Sequence, residues 1–188
     1  MDQQARNTST PAHHRFSNVS FRGGVWDLSH LEPFAIRLDP GLGFEIDVVV
    51  LFSCHCFTKD PGPDDVPEDE WYEDGRERRV LCADRYQLSR MHLRDIVVSL
   101  DGRRIVVANE TQGNFLTVEL IDQDPKQARV LYAVFFAAEA DRDQRKRVIL
   151  RVQSAYRLGE LTARQRAAKK VGFSVLVKKA YQGERVRP

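Results

Sequence analysis

Four apolar segments in the second half of the chain constrain its fold more than any other feature. They read RRIVVANE, NFLTVELI, VLYAVFFAAEA and RVILRVQSAY, and β-branched and aromatic residues dominate them. Short polar stretches separate them, and DQDP at 122–125 is typical of a hairpin turn. Because strands that follow one another through short turns pair as hairpins, this half of the chain predicts an antiparallel sheet.

The remaining segments add helices and two further strands to that sheet. FEIDVVVLFSCHCF at 44–57 predicts a largely buried strand, and residues 83–100 predict a long helix with one apolar stripe. The stripe consists of Tyr86, Leu93, Ile96, Val97 and Leu100. A short basic helix is expected at 161–170 and a closing strand at 173–181. The predicted fold class is therefore α+β: an antiparallel sheet of four to five strands, one long helix and a short basic C-terminal helix.

A single domain accounts for nearly all of the 188 residues. Residues 1–17 are polar and predict a disordered tail, whereas 18–188 predict one α+β domain with an acidic loop at 58–77. No apolar run is long enough to span a membrane, and the N-terminus lacks the apolar segment of a signal peptide. Three cysteines without an export signal favour the reducing cytoplasm, and no membrane partner is expected.

The last of the four segments ends with two hydroxyl groups, on Ser154 and Tyr156. Strand side chains alternate between faces, so strict alternation places both on the apolar face of Val148, Leu150 and Val152. A hydroxyl near the end of a core strand usually bonds to backbone groups, which would make this an ordinary strand end. The alternative is that the two hydroxyls belong to an active site.

Positive charge is concentrated around and beyond this strand. From residue 142 onward there are 14 Lys/Arg against 3 Asp/Glu, whereas residues 60–74 hold eight carboxylates and no base. Such a basic segment is typical of a polyanion-binding surface, and arginine fits phosphate oxygens with two hydrogen bonds. The simpler alternative is that the two halves neutralise each other across one folded surface. The predicted nucleic-acid-binding residues are Arg147, Arg157, Arg164, Arg166, Lys169 and Lys170.

A helix followed by these strands, with Ser-x-Tyr ending the last one, resembles a known ribonuclease superfamily. That superfamily groups barnase, EndoU, the colicin tRNases and RelE-type toxins, and the likeness is greatest to phage-associated members over about residues 83–158. It implies a toxin-like, metal-independent endoribonuclease in which a 2′-hydroxyl attacks the adjacent phosphate. The implied partners are RNA, with tRNA as one candidate, and an inhibitor or antitoxin protein.

The same resemblance implies roles for individual side chains. The Ser/Thr-x-Tyr element of the family corresponds to Ser154 and Tyr156. General acid/base catalysis falls to His92 or His55, and stabilisation of the phosphorane to Arg151 or Arg157. The helix carries no clear paired His and Lys motif, which is where this sequence departs from the family.

Two other functions fit the same sequence. One is a non-catalytic module that binds nucleic acid, or a protein through the acidic loop. The other is a zinc-stabilised domain, because Cys54, His55, Cys56 and Cys82 are all of zinc-ligand type. Zinc pairs are usually Cys-x₂₋₄-Cys, however, and alternation along a strand separates His55 from its two cysteine neighbours. Neither a metal nor another cofactor is therefore expected.

Overall fold

The computed structural model describes residues 16–63, 66–75, 77–109, 114–121, 130–143 and 146–186. Within these ranges most of the regular structure is β-strand. In chain order the strands are β1 (Val19–Phe21), β2 (Gly24–Trp26), β3 (Phe34–Leu38), β4 (Ile46–Phe52), β5 (Thr58–Lys59), β6 (Trp71–Glu73), β7 (Arg78–Leu81), β8 (Arg104–Asn109), β9 (Asn114–Ile121), β10 (Val130–Ala140), β11 (Arg147–Leu158) and β12 (Lys170–Gly172).

Seven of the strands form one mixed sheet in the order β12-β8-β9-β10-β11-β4-β3. Neighbours are antiparallel except β4 and β11, which run parallel. Two smaller antiparallel sheets accompany it, β1-β2 and β5-β7-β6. The second of these sheets includes strands from the predicted acidic loop, and it lies beside the turn that follows β4.

The helices are short and lie on both faces of the central sheet, because Leu161 and Ala168, which flank the helix at 163–167, pack with Val106 on the face opposite the main core. The helices are α1 (Ala83–Leu88), a π-helical turn (Ser89–Leu93), α2 (Arg94–Val98), α3 (Ala163–Ala167) and α4 (Phe173–Tyr181). The five predicted stripe residues of the 83–100 segment are all buried. With α4 they pack in the main core against alternate side chains of β4, β10 and β11. None of the helices described is long and apolar enough to cross a membrane.

The predicted fold class is wrong in the size and direction of its sheet and in its helices. The sheet has seven strands and is mixed, because β4 inserts beside β11 in parallel and carries β3 with it. The long helix is interrupted by a π turn, and the basic helix is reduced to α3. The predicted closing strand 173–181 is the helix α4. The tail 1–17 falls almost wholly outside the described residues, and the single domain stays a prediction.

The parallel pair at the centre of the sheet fixes where functional side chains can meet. Pairing between β4 and β11 ends at Phe52 and Val152, after which β4 stops and β11 continues to Leu158. Parallel strands have their carboxyl ends at the same edge, which is where side chains from different strands converge in many sites. The turn after β4 and the end of β11 therefore lie side by side.

Candidate functional site

A β-bulge in β11 decides which way its two hydroxyls face. Phe136 of β10 pairs with Val152. The preceding residue of β10, Phe135, pairs with Ser154, so Gln153 is an extra residue on β11. The alternation is therefore broken at this point. Ser154 and the tyrosine two residues later face away from the core side of Val152, and the predicted common face is wrong.

The ring of Tyr156 is held by stacking and by a cation. It lies nearly parallel to the ring of Phe135, with centroids 5.4 Å apart. The guanidinium carbon of Arg85, from α1, lies 4.7 Å from its centroid. Arg85 also donates hydrogen bonds to the carbonyl oxygens of His55 (3.1 Å) and Thr58 (2.7 Å). These contacts fix the end of β11 against α1 and the turn after β4.

The two histidines predicted for proton transfer come from different elements than the hydroxyl pair. His92 is half-exposed on the π-helical turn. The Nε2 atom of His55 lies 2.6 Å from Oε1 of Glu77, on the other side of the turn after β4. Among the described residues, no side-chain hydrogen bond or ring contact joins either imidazole to Ser154 or Tyr156.

The predicted arginines of β11 form ion pairs with carboxylates. Each of the three forms an ion pair with an acidic side chain of a neighbouring element. The pairs are Arg147 with Asp141 (3.8 Å), Arg151 with Glu139 (3.1 Å) and Arg157 with Asp84 (2.8 Å). Partly exposed pairs of this kind contribute little to stability, but they do reduce the positive charge offered to a phosphate. The centre of β11 is therefore not a strongly basic surface.

The four other predicted basic residues, together with Arg104, form a surface that we call the basic edge. Its members are the exposed side chains Arg104, Arg164, Arg166, Lys169 and Lys170. They come together because β12 is the edge strand of the sheet and pairs with β8, while α3 packs beside β8. Within the described ranges Glu160 forms an ion pair with this surface, 3.7 Å from Arg166, and its own side chain is 86% exposed.

A thiol and an imidazole meet where the chain turns after β4. The strand ends at Phe52, and Cys54–Cys56 form a 3-10 turn in which the Ser53 hydroxyl accepts a hydrogen bond from the amide of His55. The predicted strand 44–57 is thus too long, and alternation does not separate these side chains. Sγ of Cys54, Nε2 of His55 and a carboxylate oxygen of Glu77 lie within 4.8 Å of one another.

Two further residues complete this cluster. Oδ2 of Asp74 lies 3.5 Å from Sγ of Cys54, while its Oδ1 accepts a hydrogen bond from the amide of Glu77. Arg79, whose side chain is only 4% exposed, donates to Oε2 of Glu77 at 3.2 Å and to Oδ1 of Asp60 at 2.7 Å. The guanidinium therefore fixes the orientation of Glu77 toward the thiol.

The electrostatics of the cluster disfavour a thiolate in the absence of a metal. Burial, and then the nearby carboxylates of Asp74 and Glu77, raise the pKa of Cys54 to about 12. Burial also raises the pKa of Cys56 to about 12. The hydrogen bond with His55 lowers the pKa of Glu77. A thiol with such a raised pKa stays protonated near neutrality and is not a nucleophile.

Sequence reasoning missed Asp74 and Glu77, at the end of the acidic loop, and Arg79 of β7. A signal was present, because Asp74 and Gly75 form the turn between β6 and β7, and Gly75 has a φ of 84°. An Asp-Gly turn between WYE and RRVL predicts a hairpin. The position of that hairpin beside Cys54 depends on tertiary packing and has no local signal.

Comparisons with known proteins assign the chain to a family different from the one the sequence suggested. The model of the YjaZ family matches residues 18–181. The protein "Protein YjaZ" of Escherichia coli (strain K12) is 30% identical over 144 residues, which is 73% of this chain and 76% of that protein. No solved structure matches. The resemblance to the barnase, EndoU, colicin and RelE-type ribonucleases is therefore wrong, since its helix-and-strand pattern recurs in unrelated α+β proteins.

Proposed function

Given that the chain belongs to the YjaZ family, we propose that it is a non-catalytic module that binds RNA through phosphate contacts. The observation that supports this is the basic edge, where five exposed cations gather along one margin of the sheet. Phosphate contacts supply most of the sequence-independent affinity of nucleic-acid-binding proteins. Binding of this kind needs clustered positive charge and no particular base-reading pocket.

The arrangement of cations along the basic edge suits the phosphate groups of an RNA backbone. Lys170 lies on β12 opposite Val106 of β8, and Arg104 is opposite Gly172 at the other end of the same short pair. Arg164 and Arg166 project from α3, which packs beside β8. Cations from three elements thus border one continuous margin of the sheet.

Binding without cleavage is favoured by the surroundings of the hydroxyl pair. A ribonuclease needs a proton-transfer group within hydrogen-bond reach of the reacting oxygen. In the described structure, Nε2 of His55 is engaged with Glu77, and neither His55 nor His92 forms a side-chain hydrogen bond or ring contact with Tyr156. The three free thiols suit a reducing compartment, and we place the activity in the cytoplasm.

Neutralisation of the basic edge tests this function. Binding of a labelled single-stranded RNA is measured by fluorescence anisotropy for wild type and for Arg164→Gln/Lys170→Gln, across a series of salt concentrations. The dissociation constant of the double variant is expected to rise by about tenfold. The slope of log K against log salt should fall by about 0.7 for each phosphate that the variant no longer neutralises.

The matched control is Arg151→Gln, which removes an arginine already paired with Glu139. It should bind like wild type. Equal weakening by Arg151→Gln would move the binding surface to β11, and no salt-sensitive binding by wild type would refute the proposal. RNA fragments appearing in the presence of EDTA would show that the protein is an enzyme after all.

A further inference from the structure

We propose that Cys54, His55, Asp74 and Glu77 form a zinc site that fastens the β5-β7-β6 sheet to the carboxyl end of β4. The site goes beyond the proposed binding of RNA and does not depend on it. It uses residues from two segments that are separated by about twenty positions in the sequence. Cys54 and His55 come from the turn after β4, and Asp74 and Glu77 from the turn between β6 and β7.

The chemical types of the donor atoms indicate which metal the site would bind. One sulfur, one imidazole nitrogen and two carboxylate oxygens are the mixture found around Zn²⁺, which accepts soft and hard ligands together. Mg²⁺ and Ca²⁺ prefer sites made entirely of oxygen, so a buried thiol and an imidazole disfavour them. The chemistry of the set therefore points to zinc among the common divalent cations.

The donor atoms of Cys54, His55 and Glu77 lie within 4.8 Å of one another, and Asp74, which reaches the thiol, must turn further toward the other two to become the fourth ligand. Zn–S bonds of about 2.3 Å and Zn–N or Zn–O bonds of about 2.0–2.2 Å place neighbouring ligands about 3.3–3.6 Å apart. Sγ of Cys54 lies 3.5 Å from Oδ2 of Asp74 and 3.7 Å from Oε1 of Glu77. Nε2 of His55 lies 2.6 Å from Oε1 of Glu77, and this pair must open by about 0.7 Å. The imidazole, whose side chain is 32% exposed, supplies this movement while Arg79 keeps its hydrogen bond to Oε2 of Glu77.

The scaffold already holds the ligands in place. The Ser53 hydroxyl donates to the carbonyl of Gln153 in β11 and accepts from the amide of His55, which anchors the turn carrying the thiol and the imidazole. Arg79 binds the second oxygen of Glu77 and the hydroxyl of Thr58. Such outer contacts orient metal ligands and raise affinity in known sites.

The local charge also favours a cation. Asp60 and Glu77 pair with the guanidinium of Arg79, and Asp74 adds a third carboxylate beside the thiol. Two of the three carboxylates lie within 4 Å of the same thiol. Carboxylates directed at a thiol repel the thiolate in the absence of metal, whereas a bound Zn²⁺ would be attracted by all three groups. On binding, the sulfur–zinc bond forms and the thiol proton passes to solvent.

Metal content and spectroscopy of the full chain test the site. Protein equilibrated with zinc chloride and then desalted is expected to retain one equivalent of zinc by elemental analysis. Cobalt(II) should replace it and give a thiolate-to-cobalt charge-transfer band together with the visible bands of a tetrahedral ion. A large excess of Mg²⁺ should displace neither metal.

Matched variants identify the ligands. His55→Gln and Cys54→Ser should each weaken zinc binding by about a hundredfold, and Cys54→Ser should abolish the charge-transfer band. Cys82→Ser and His92→Gln remove the same residue types outside the cluster and should bind like wild type. His55→Gln alters a partly exposed side chain, so it remains informative if the Cys54 variant does not fold.

Thermal unfolding supplies an independent readout. Zinc stabilises only the folded state, so it should raise the melting temperature of wild type, Cys82→Ser and His92→Gln, but not of His55→Gln. Less than about a tenth of an equivalent of zinc in wild type would overturn the proposal. So would a charge-transfer band that survives Cys54→Ser.

Discussion

The imidazole of His30 illustrates how one buried nitrogen can set the acid stability of this protein. Ser89 donates its hydroxyl proton to the carbonyl of Tyr86, so the same oxygen must accept a hydrogen bond from Nε2–H of His30, 2.9 Å away. Nδ1 of His30 is then the unprotonated nitrogen, and it is buried without a hydrogen-bond partner in the described structure. Protonation would place a positive charge there that the nearby backbone carbonyl and carboxylate of Asp27 satisfy only in part.

Burial is accordingly the main cause that lowers the pKa of His30 below its ordinary 6.5. Arg90 acts in the same direction, while the hydrogen bond and charge of Asp27 partly oppose the shift. The imidazole of His30 therefore binds a proton more tightly in the unfolded chain than in the folded one. Its contribution to the free energy of unfolding is complete above pH 6.5 and is lost as the pH falls below that value.

We therefore expect His30→Gln to flatten the acid side of the stability profile. Glutamine keeps a neutral donor for Ser89 but does not titrate. The melting temperature of wild type should decline between pH 6.5 and 5.0, and the variant should decline less over the same interval. The control is His92→Gln, a half-exposed histidine outside this pocket. Identical slopes for wild type and His30→Gln would show that His30 is not the sensor.

At the scale of elements, β11 shows why a strand can be predicted and its faces cannot. The apolar segment correctly locates a strand at Arg147–Leu158. The bulge at Gln153 depends on which residues of β10 lie opposite, and the sequence of β11 alone carries no sign of it. The same holds for the parallel pairing of β4, since a buried apolar strand is compatible with several neighbours.

The closing helix could, in contrast, have been predicted. In α4 the buried residues recur at intervals of three, one and three positions, the spacing of a helical stripe. They are Phe173, Leu176, Val177 and Ala180. The β-branched content of FSVLVKKAY favoured a strand, but a strand would place neighbouring Leu176 and Val177 on opposite faces. Periodicity was the stronger signal, because tertiary burial overrides residue propensity.

Deletion of Gln153 is expected to leave the protein folded. Without it β11 alternates regularly and every core side chain keeps its face, so the cost is about the single hydrogen bond from Ser53, roughly 0.5–1.5 kcal/mol. Deletion of Ile149, in the regular part of the same strand, should cost more than about 4 kcal/mol because part of the strand must turn its core residues outward. Urea unfolding of both variants measures the difference, and equal reductions in stability would place the bulge elsewhere.

At the scale of the whole molecule, the basic edge and the zinc cluster lie at separate places on one sheet. The basic edge borders β12, whereas Cys54 and His55 follow β4, five strand positions away in the sheet. Neighbouring strands are about 4.8 Å apart, so about 24 Å of sheet separates them. This is about three Debye lengths at physiological ionic strength. The basic edge and the carboxylates of the zinc cluster can therefore bind their ligands at the same time without neutralising each other.

The two sites are consequently expected to bind their ligands independently. At about 150 mM salt the affinity for single-stranded RNA should be the same within about twofold with and without one equivalent of zinc, because screening removes the electrostatic coupling. Linkage requires the reverse as well, so Arg164→Gln/Lys170→Gln should bind zinc with wild-type affinity. The measurement is RNA anisotropy at fixed zinc, with His55→Gln as the control for zinc that binds the RNA itself. An increase of more than about fivefold in RNA affinity, seen in wild type and absent in His55→Gln, would show that the zinc cluster acts on the basic edge through the sheet.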